Sequence, residues 1–182
     1  MLAADQTRFP PQTATLRDWR TVTLRFLKTE DTEALVDFYE SVELAAYRFY
    51  SPAPPTRESA AKKTAAALAP NWVCIVAEAE GSAIVGYNWC KWNPAYDEPS
   101  IFGICVRRDY RGNGLGKALM TRLLDVAAEA GPEVMSLTVQ MANPRAVALY
   151  TSMGFKIVRE QTRGRIGQFA PEPEYYMERR VR

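Results

Sequence analysis

Apolar residues recur with a period of two over Thr21 to Leu27, where Val22, Leu24 and Phe26 alternate with polar neighbours, and this predicts a strand. Asp31 or Thr32 then offers an N-cap, and Leu35, Val36, Phe38 and Tyr39 follow at the spacing of one helix face. The chain thus opens β then α. Ser51 to Thr56 holds three prolines and reads as a loop, after which the alanine-rich Glu58 to Leu68 predicts a second helix ended by Pro70. Trp72 to Glu78 and Ala83 to Trp92 are rich in β-branched and aromatic residues, and Glu80-Gly81-Ser82 between them makes a hairpin. Asn93 to Pro99 is a turn-rich break.

Ile101 to Val106 is apolar almost throughout, which predicts a central strand covered on both faces. A basic, glycine-rich turn leads into Leu115, Ala118, Leu119, Leu123, Val126 and Ala127 at helical spacing, and Gly131-Pro132 stops that helix. Val134 to Val139 is another strand. Asn143-Pro144 supplies an N-cap with proline at the first helical position, and Gly154 supplies the stop. Phe155 to Arg159 and Tyr175 to Val181 read as closing strands. The first fifteen or so residues, with Pro10-Pro11 and no periodicity, read as a tail, so the expected division is an arm over 1–18 and one domain over 19–182. The predicted order, βααβββαβαββ, is an α/β (α+β) fold with a mixed central sheet of about seven strands flanked by about four helices.

A length of 182 residues and a net charge of +2 fit one domain, and 47% apolar with 24% charged residues excludes a disordered or fibrous chain. No apolar run approaches the roughly 20 residues of a membrane span, and no basic n-region with an apolar h-region opens the chain. The absence of histidine removes every Ser-His-Asp and Cys-His mechanism and the commonest metal ligand, so no metal is expected. Cys74, Cys90 and Cys105 sit in apolar stretches without CxxC pairing and read as small buried hydrophobes in a reducing, cytoplasmic compartment. A near-neutral charge balance gives no field for nucleic acid.

The chemically distinctive segment is Arg108 to Lys117, Arg-Asp-Tyr-Arg-Gly-Asn-Gly-Leu-Gly-Lys, between an apolar strand and an amphipathic helix. A helix start there leaves amides unpaired, and glycine lets a ligand approach the backbone. A Walker A loop is excluded because Arg111 and Ala118 stand where glycine and Ser/Thr are needed, and the dinucleotide fingerprint fails at Lys117. What remains, Arg111-x-x-Gly114-x-Gly116 with Val106 five residues upstream, resembles the cofactor motif of the GCN5-related N-acetyltransferase superfamily. Leu137-Thr-Val139 with Asn143, Ala146, Ala148-Leu-Tyr150 and Gly154-Phe155 is similar to the second motif of that superfamily.

The resemblance implies acetyl-CoA as co-substrate. Its pyrophosphate would lie on the amides of the turn formed by Arg111, Gly112, Asn113, Gly114, Leu115, Gly116 and Lys117. The backbone of Ile104, Cys105 and Val106 would face the thioester, and Asn143, besides capping its helix, would add a contact. Tyr150 matches the tyrosine that serves as general acid beside the sulfur, and a phenol with a pKa of about 10 is protonated at neutral pH. The base is open between Glu98, whose alternative reading is a solvated loop carboxylate, and a water relay. Thr138 stands where ribosomal-protein N-terminal acetyltransferases commonly have glutamate. The resemblance therefore implies direct transfer, in a ternary complex, to the primary amine of a small molecule such as an amino acid, with no membrane partner and a homodimer admitted. The alternatives are a protein N-terminal acetyltransferase and a non-catalytic acyl-CoA-binding module. Tyr47, Phe49 and Tyr50 could wall the acceptor or merely pack locally.

Overall fold

Strand propensity and burial coincide most fully in β3 (Trp72–Glu78) and β4 (Ile84–Lys91), where every residue but the last of each is buried. In the computed structural model, which describes residues 6–43, 46, 48–49, 55–93, 100–165 and 169–182, they pair antiparallel at the centre of a sheet. The order of that sheet is β1-β2-β3-β4-β5, with β1 at Gln12–Thr15, β2 at Thr21–Phe26 and β5 at Ile101–Val106. Period-two alternation gives β3 two apolar faces. Cys74 and Val76 join Leu35, Phe38 and Tyr87 under α1 (Thr32–Glu40) and α2 (Arg57–Ala65). Val73, Ile75 and Ala77 join Leu119 and Leu123 of α3 (Leu115–Ala130) on the other side. Each fully buried leucine there contributes about 2 kcal/mol of hydrophobic stabilisation.

A second sheet, in the order β6-β8-β7, is built from Val134–Gln140, Glu172–Arg180 and Lys156–Arg163, with α4 (Pro144–Ser152) between β6 and β7. Of the two caps read from the sequence, Asn143 forms and Asp31 does not: the Asp31 side chain makes no cap bond to α1 and instead accepts from Lys28 N–H (2.8 Å) and from Arg25. The Thr56 side chain accepts from Ser59 N–H (3.1 Å), and Asn143 Oδ1 accepts from Ala146 N–H (3.3 Å) ahead of Pro144. A nearly buried Arg25 donates through both Nη atoms to Asp31 (2.7 and 2.9 Å) and through Nε to Glu78, tying β2 to β3 and to the start of α1.

Three features differ from the sequence reading. Among the described residues, eight strands form two sheets, each antiparallel throughout, where one mixed sheet of about seven was expected. The apolar β5 is the edge of its sheet, not a covered central strand, and Ile101 is 60% exposed. Its free edge borders a cleft, and an apolar run cannot reveal whether a strand or a ligand will cover it. Within the expected arm, Gln12–Thr15 pairs with β2 from Gln12↔Leu24 to Thr15↔Thr21, and Phe9 and Leu16 are buried in the core. Main-chain pairing makes that strand, so hydrophobic periodicity had nothing to report. Among the described residues, no helix is long and apolar enough to cross a membrane.

Candidate active site

The turn between β5 and α3 is shaped by backbone conformation. Arg107 N–H bonds Val85 O (2.9 Å), closing the strand, and a 3₁₀ turn over Arg108–Tyr110 follows. Arg111 Nε donates to Val106 O (2.8 Å), so this side chain clamps the turn shut from within. Gly112 and Gly114 then take φ of +83° and +92°, the left-handed region that glycine enters freely. A Cβ at either would meet nothing within 4 Å, so the dihedral demands glycine and the space above is open. Gly116 differs: a Cβ there would come within 3.3 Å of Leu149 Cδ2, so this glycine serves the close approach of α4.

Ala118 N–H makes its bond to Gly114 O (3.0 Å), and Gly114 offers no side-chain cap. The amides of Leu115, Gly116 and Lys117 are therefore the orphan donors of a long helix, carrying its partial positive charge beside open space. Leu115 itself is buried, so only its amide can reach a ligand, whereas Lys117 is exposed. The β1–β2 hairpin braces the turn: Arg17 N–H bonds Asn113 O (3.0 Å), Arg20 Nη2 bonds Asp109 O (2.7 Å), and the Arg20 guanidinium lies 3.7 Å from the Tyr110 ring centroid. The braced turn thus holds unpaired amides toward open space, an arrangement that can cradle an anion.

Upstream of the cradle, β5 and β6 are joined only at their N-terminal ends. Ser136 N–H donates to Ser100 Oγ (3.1 Å), Ser136 Oγ to Ser100 O, and Ser100 Oγ to Val134 O (3.3 Å). Beyond this lock the two strands are unpaired and flank a cavity of about 320 Å³, reached by Ile101 to Ile104 from one side and by Leu137, Thr138 and Gln140 from the other. Trp89 closes it beneath Gly103, where any Cβ would fall within 2.6 Å of the indole nitrogen, so only glycine admits the ring. Tyr150 of α4 and Phe49 complete the apolar part of the wall.

Tyr150 is 6% exposed and wedged edge-on between Phe102 (5.9 Å) and Phe155 (6.1 Å). Burial, with a smaller contribution from Cys105, raises its hydroxyl above the ordinary phenol range, so it holds its proton throughout the neutral range. Burial likewise pushes the Cys105 thiol up to about 12, which leaves no thiolate nucleophile at neutral pH. Asn143, Ile104 and Val106 are half-buried, and Ile104 lines the cavity. Glu98, Tyr47 and Tyr50 lie outside the described residues.

The lower wall was not anticipated. Register places Thr138, Tyr176 and Arg159 in one row across the second sheet, and Gln140, Glu174 and Gln161 in the next, so one face of that sheet is polar. Arg159, Arg163 and Tyr176 line the cavity from it. The usable signal was the alternation Arg159, Gln161, Arg163 just beyond the point where apolar character ends. Ser100 and Ser136 carried no signal, because their role depends on strands distant in sequence.

An anion cradle at the end of a strand whose edge opens into a cleft suits a long phosphate-bearing ligand that runs from one to the other. The sequence profile of the acetyltransferase (GNAT) family matches residues 35–155. The chain belongs to that family. Among curated proteins, this GNAT chain is 37% identical over 81 residues to the mycothiol acetyltransferase of Corynebacterium aurimucosum, covering 42% of the chain and 26% of the relative. It is 42% identical over 59 residues to the ribosomal protein bS18-alanine N-acetyltransferase of Escherichia coli, covering 32% and 40%. A longer match, 22% identical over 143 residues, covers 76% of the chain and 82% of the L-amino acid N-acyltransferase MnaT of Escherichia coli. The chain thus spans well under half the length of the first two relatives. The yncA protein of Salmonella typhimurium, solved with acetyl-CoA, shares the GNAT fold at a TM-score of 0.74 and 20% identity, covering 88% of this chain and 94% of that one. A phosphinothricin acetyltransferase of Sinorhizobium meliloti in complex with acetyl-CoA superposes at 0.73 with 23% identity, covering 87% and 88%.

Proposed function

We propose that this GNAT chain is an acetyl-CoA-dependent N-acetyltransferase that acetylates the primary amine of a small molecule, an amino acid or related metabolite, by direct attack in a ternary complex. One observation carries the reading: β5, whose Ile104 lines the cavity with Tyr150, runs directly into the cradle of unpaired amides at Gly112 to Lys117. Acetyl-CoA supplies an acyl group activated as a thioester. The amides of the turn hold its pyrophosphate, with Asn143 adding a contact, and the clamp between Arg111 and Val106 keeps them aimed. The unpaired edge of β5 at Ile104 to Val106 presents backbone groups to the thioester, and Tyr150 delivers the proton that the departing thiolate needs.

No carboxylate lines the cavity among the described residues, so the proton of the attacking amine leaves through water or through Glu98. The α-ammonium of a free amino acid is protonated at neutral pH and gives up that proton by one of these routes before it attacks. The cavity volume of about 320 Å³ suits a small acceptor. The match to the amino acid N-acyltransferase, covering more of both chains than the other two, favours the same class. We assign the catalytic domain to 19–182 together with the β1 segment that precedes it, because Gln12–Thr15 pairs with β2 and Phe9 and Leu16 are buried in the same core.

Release of free thiol from acetyl-CoA, measured against amino acids, polyamines, aminoglycosides and peptides with free N-termini, tests this reading. Turnover of at least one small amine is expected, and its loss in folded Gly114→Val ties the activity to the cradle. Turnover of peptides alone would replace the acceptor class, and tight acetyl-CoA binding without turnover of any amine would remove the enzymatic reading.

A further inference from the structure

The polar wall of the cavity contains two guanidinium groups and, among the described residues, no carboxylate. Both come from β7. Arg163 has a side chain only 10% exposed; its Nη1 donates to Arg48 O (2.7 Å) and its Nη2 to Glu172 (3.0 Å), while its Nε is buried without an acceptor. A buried cationic donor left unpaired is costly, which makes it a place where an acceptor atom is missing. Arg159 lies flat on Tyr176, 3.8 Å from the ring centroid, with Nε held by Gln161 Oε1 (3.1 Å), and it has no ion-pair partner among the described residues. Stacking fixes its orientation before any ligand arrives. The neighbouring carboxylates are occupied or set back: Glu172 bridges Arg48 and Arg163, and Glu174 accepts from Gln161 and does not line the cavity.

We propose that Arg163 and Arg159 form the anion subsite of the acceptor, so that the acetylated amine belongs to a molecule with a carboxylate near it, as in a free α-amino acid. This rests on the acetyl-transfer reading and narrows it. A carboxylate takes its hydrogen bonds from the Nη groups of Arg159, which have no partner among the described residues, and lies against the Arg163 guanidinium, whose unpaired Nε reaches it on a small side-chain shift. A peptide N-terminus puts a neutral amide carbonyl in the same position, and a polyamine brings further positive charge against two guanidiniums.

The test compares free amino acids with their carboxamides, which keep the same amine and side chain. The acid is expected to exceed the amide by about tenfold or more in kcat/KM, since a site built for a charge-assisted bond rejects the analogue lacking it. Arg159→Gln and the conservative Arg163→Lys should each raise KM for the acid much more than they lower kcat, moving the acid-to-amide ratio toward one, with acetyl-CoA affinity unchanged. Amides used as well as acids, or a ratio unmoved in both variants, would overturn the subsite. Calorimetry of N-acetyl-amino acids and N-acetyl-amino amides on protein saturated with CoA separates this from the catalytic reading. A preference for the anion supports the subsite even without turnover, and equal or absent binding overturns it.

Discussion

Replacing Gly114 with valine separates backbone conformation from ligand contact. Gly114 caps α3 at φ +92° and ψ −7°. A β-branched residue in that region costs on the order of 1–3 kcal/mol. Nothing lies within 4 Å of the added Cβ, so no internal clash increases this cost. A loss of about 2 kcal/mol lowers the Tm of a domain of this size by about 4–8 °C, and the variant should remain folded. The new side chain fills the open side of the turn that a pyrophosphate must occupy. Losing two charge-assisted hydrogen bonds there is worth about 3 kcal/mol, or about 100-fold in Kd for acetyl-CoA. Gly81 provides the control, because it sits in the β3–β4 turn at φ +75° with nothing within 4 Å of a Cβ. Gly81→Val should lose similar stability and keep full affinity. Calorimetry with acetyl-CoA, run beside thermal unfolding of both variants, reads the two effects separately. Unchanged affinity in folded Gly114→Val, or equal affinity loss in both variants, would refute the cradle.

Tyr150→Phe should lower kcat by about 100-fold with little change in acetyl-CoA affinity, as when a general acid is removed; an unchanged kcat under conditions where chemistry limits the rate would remove the role. Ser100→Ala leaves the buried Ser136 N–H without its acceptor and should cost about 1–3 kcal/mol in urea denaturation, and an unchanged midpoint would show that the lock between the sheets is not stabilising. Burial pushes the thiols of Cys74, Cys90 and Cys105 from an ordinary 9.0 up to about 12. Below pH 9 both folded and unfolded chains keep these protons; between pH 9 and 12 the unfolded chain loses them first, so stability should fall as pH rises through that window. Flat stability from about pH 8 to 10.5 in denaturant titrations would contradict that burial.

Local chemistry explains which parts were legible in the sequence. The alternation in Thr21–Phe26, the hairpin around Gly81, the Asn143-Pro144 cap and the Gly131 stop are all set by residues within a few positions, and each matches an element of the fold. The glycine-rich turn was legible for the same reason: positive φ at Gly112 and Gly114 is a local demand. What pairs with what was not. β5 carries the apolar signature of a buried strand while its free edge opens into a cleft, and β1 owes its existence to β2. The extension of β7 from Arg159 to Arg163 is polar on both faces by residue type, so only its pairing with β8 reveals that Arg159 and Arg163 border the cavity. The candidate site divides along the same line: the conformation of the glycine turn and the α4 helix that carries Tyr150 follow from local pattern, whereas the placement of the arginines and of the serine lock depends on long-range packing.

Initial-rate kinetics with acetyl-CoA and a free amino acid both varied test the central claim, direct transfer within the cleft between β5 and β6. With no histidine in the chain and the Cys105 thiol held up to about 12 by burial, the account predicts an intersecting pattern and no acetylated enzyme. Parallel lines, together with acetyl recovered covalently on Cys105, would contradict it.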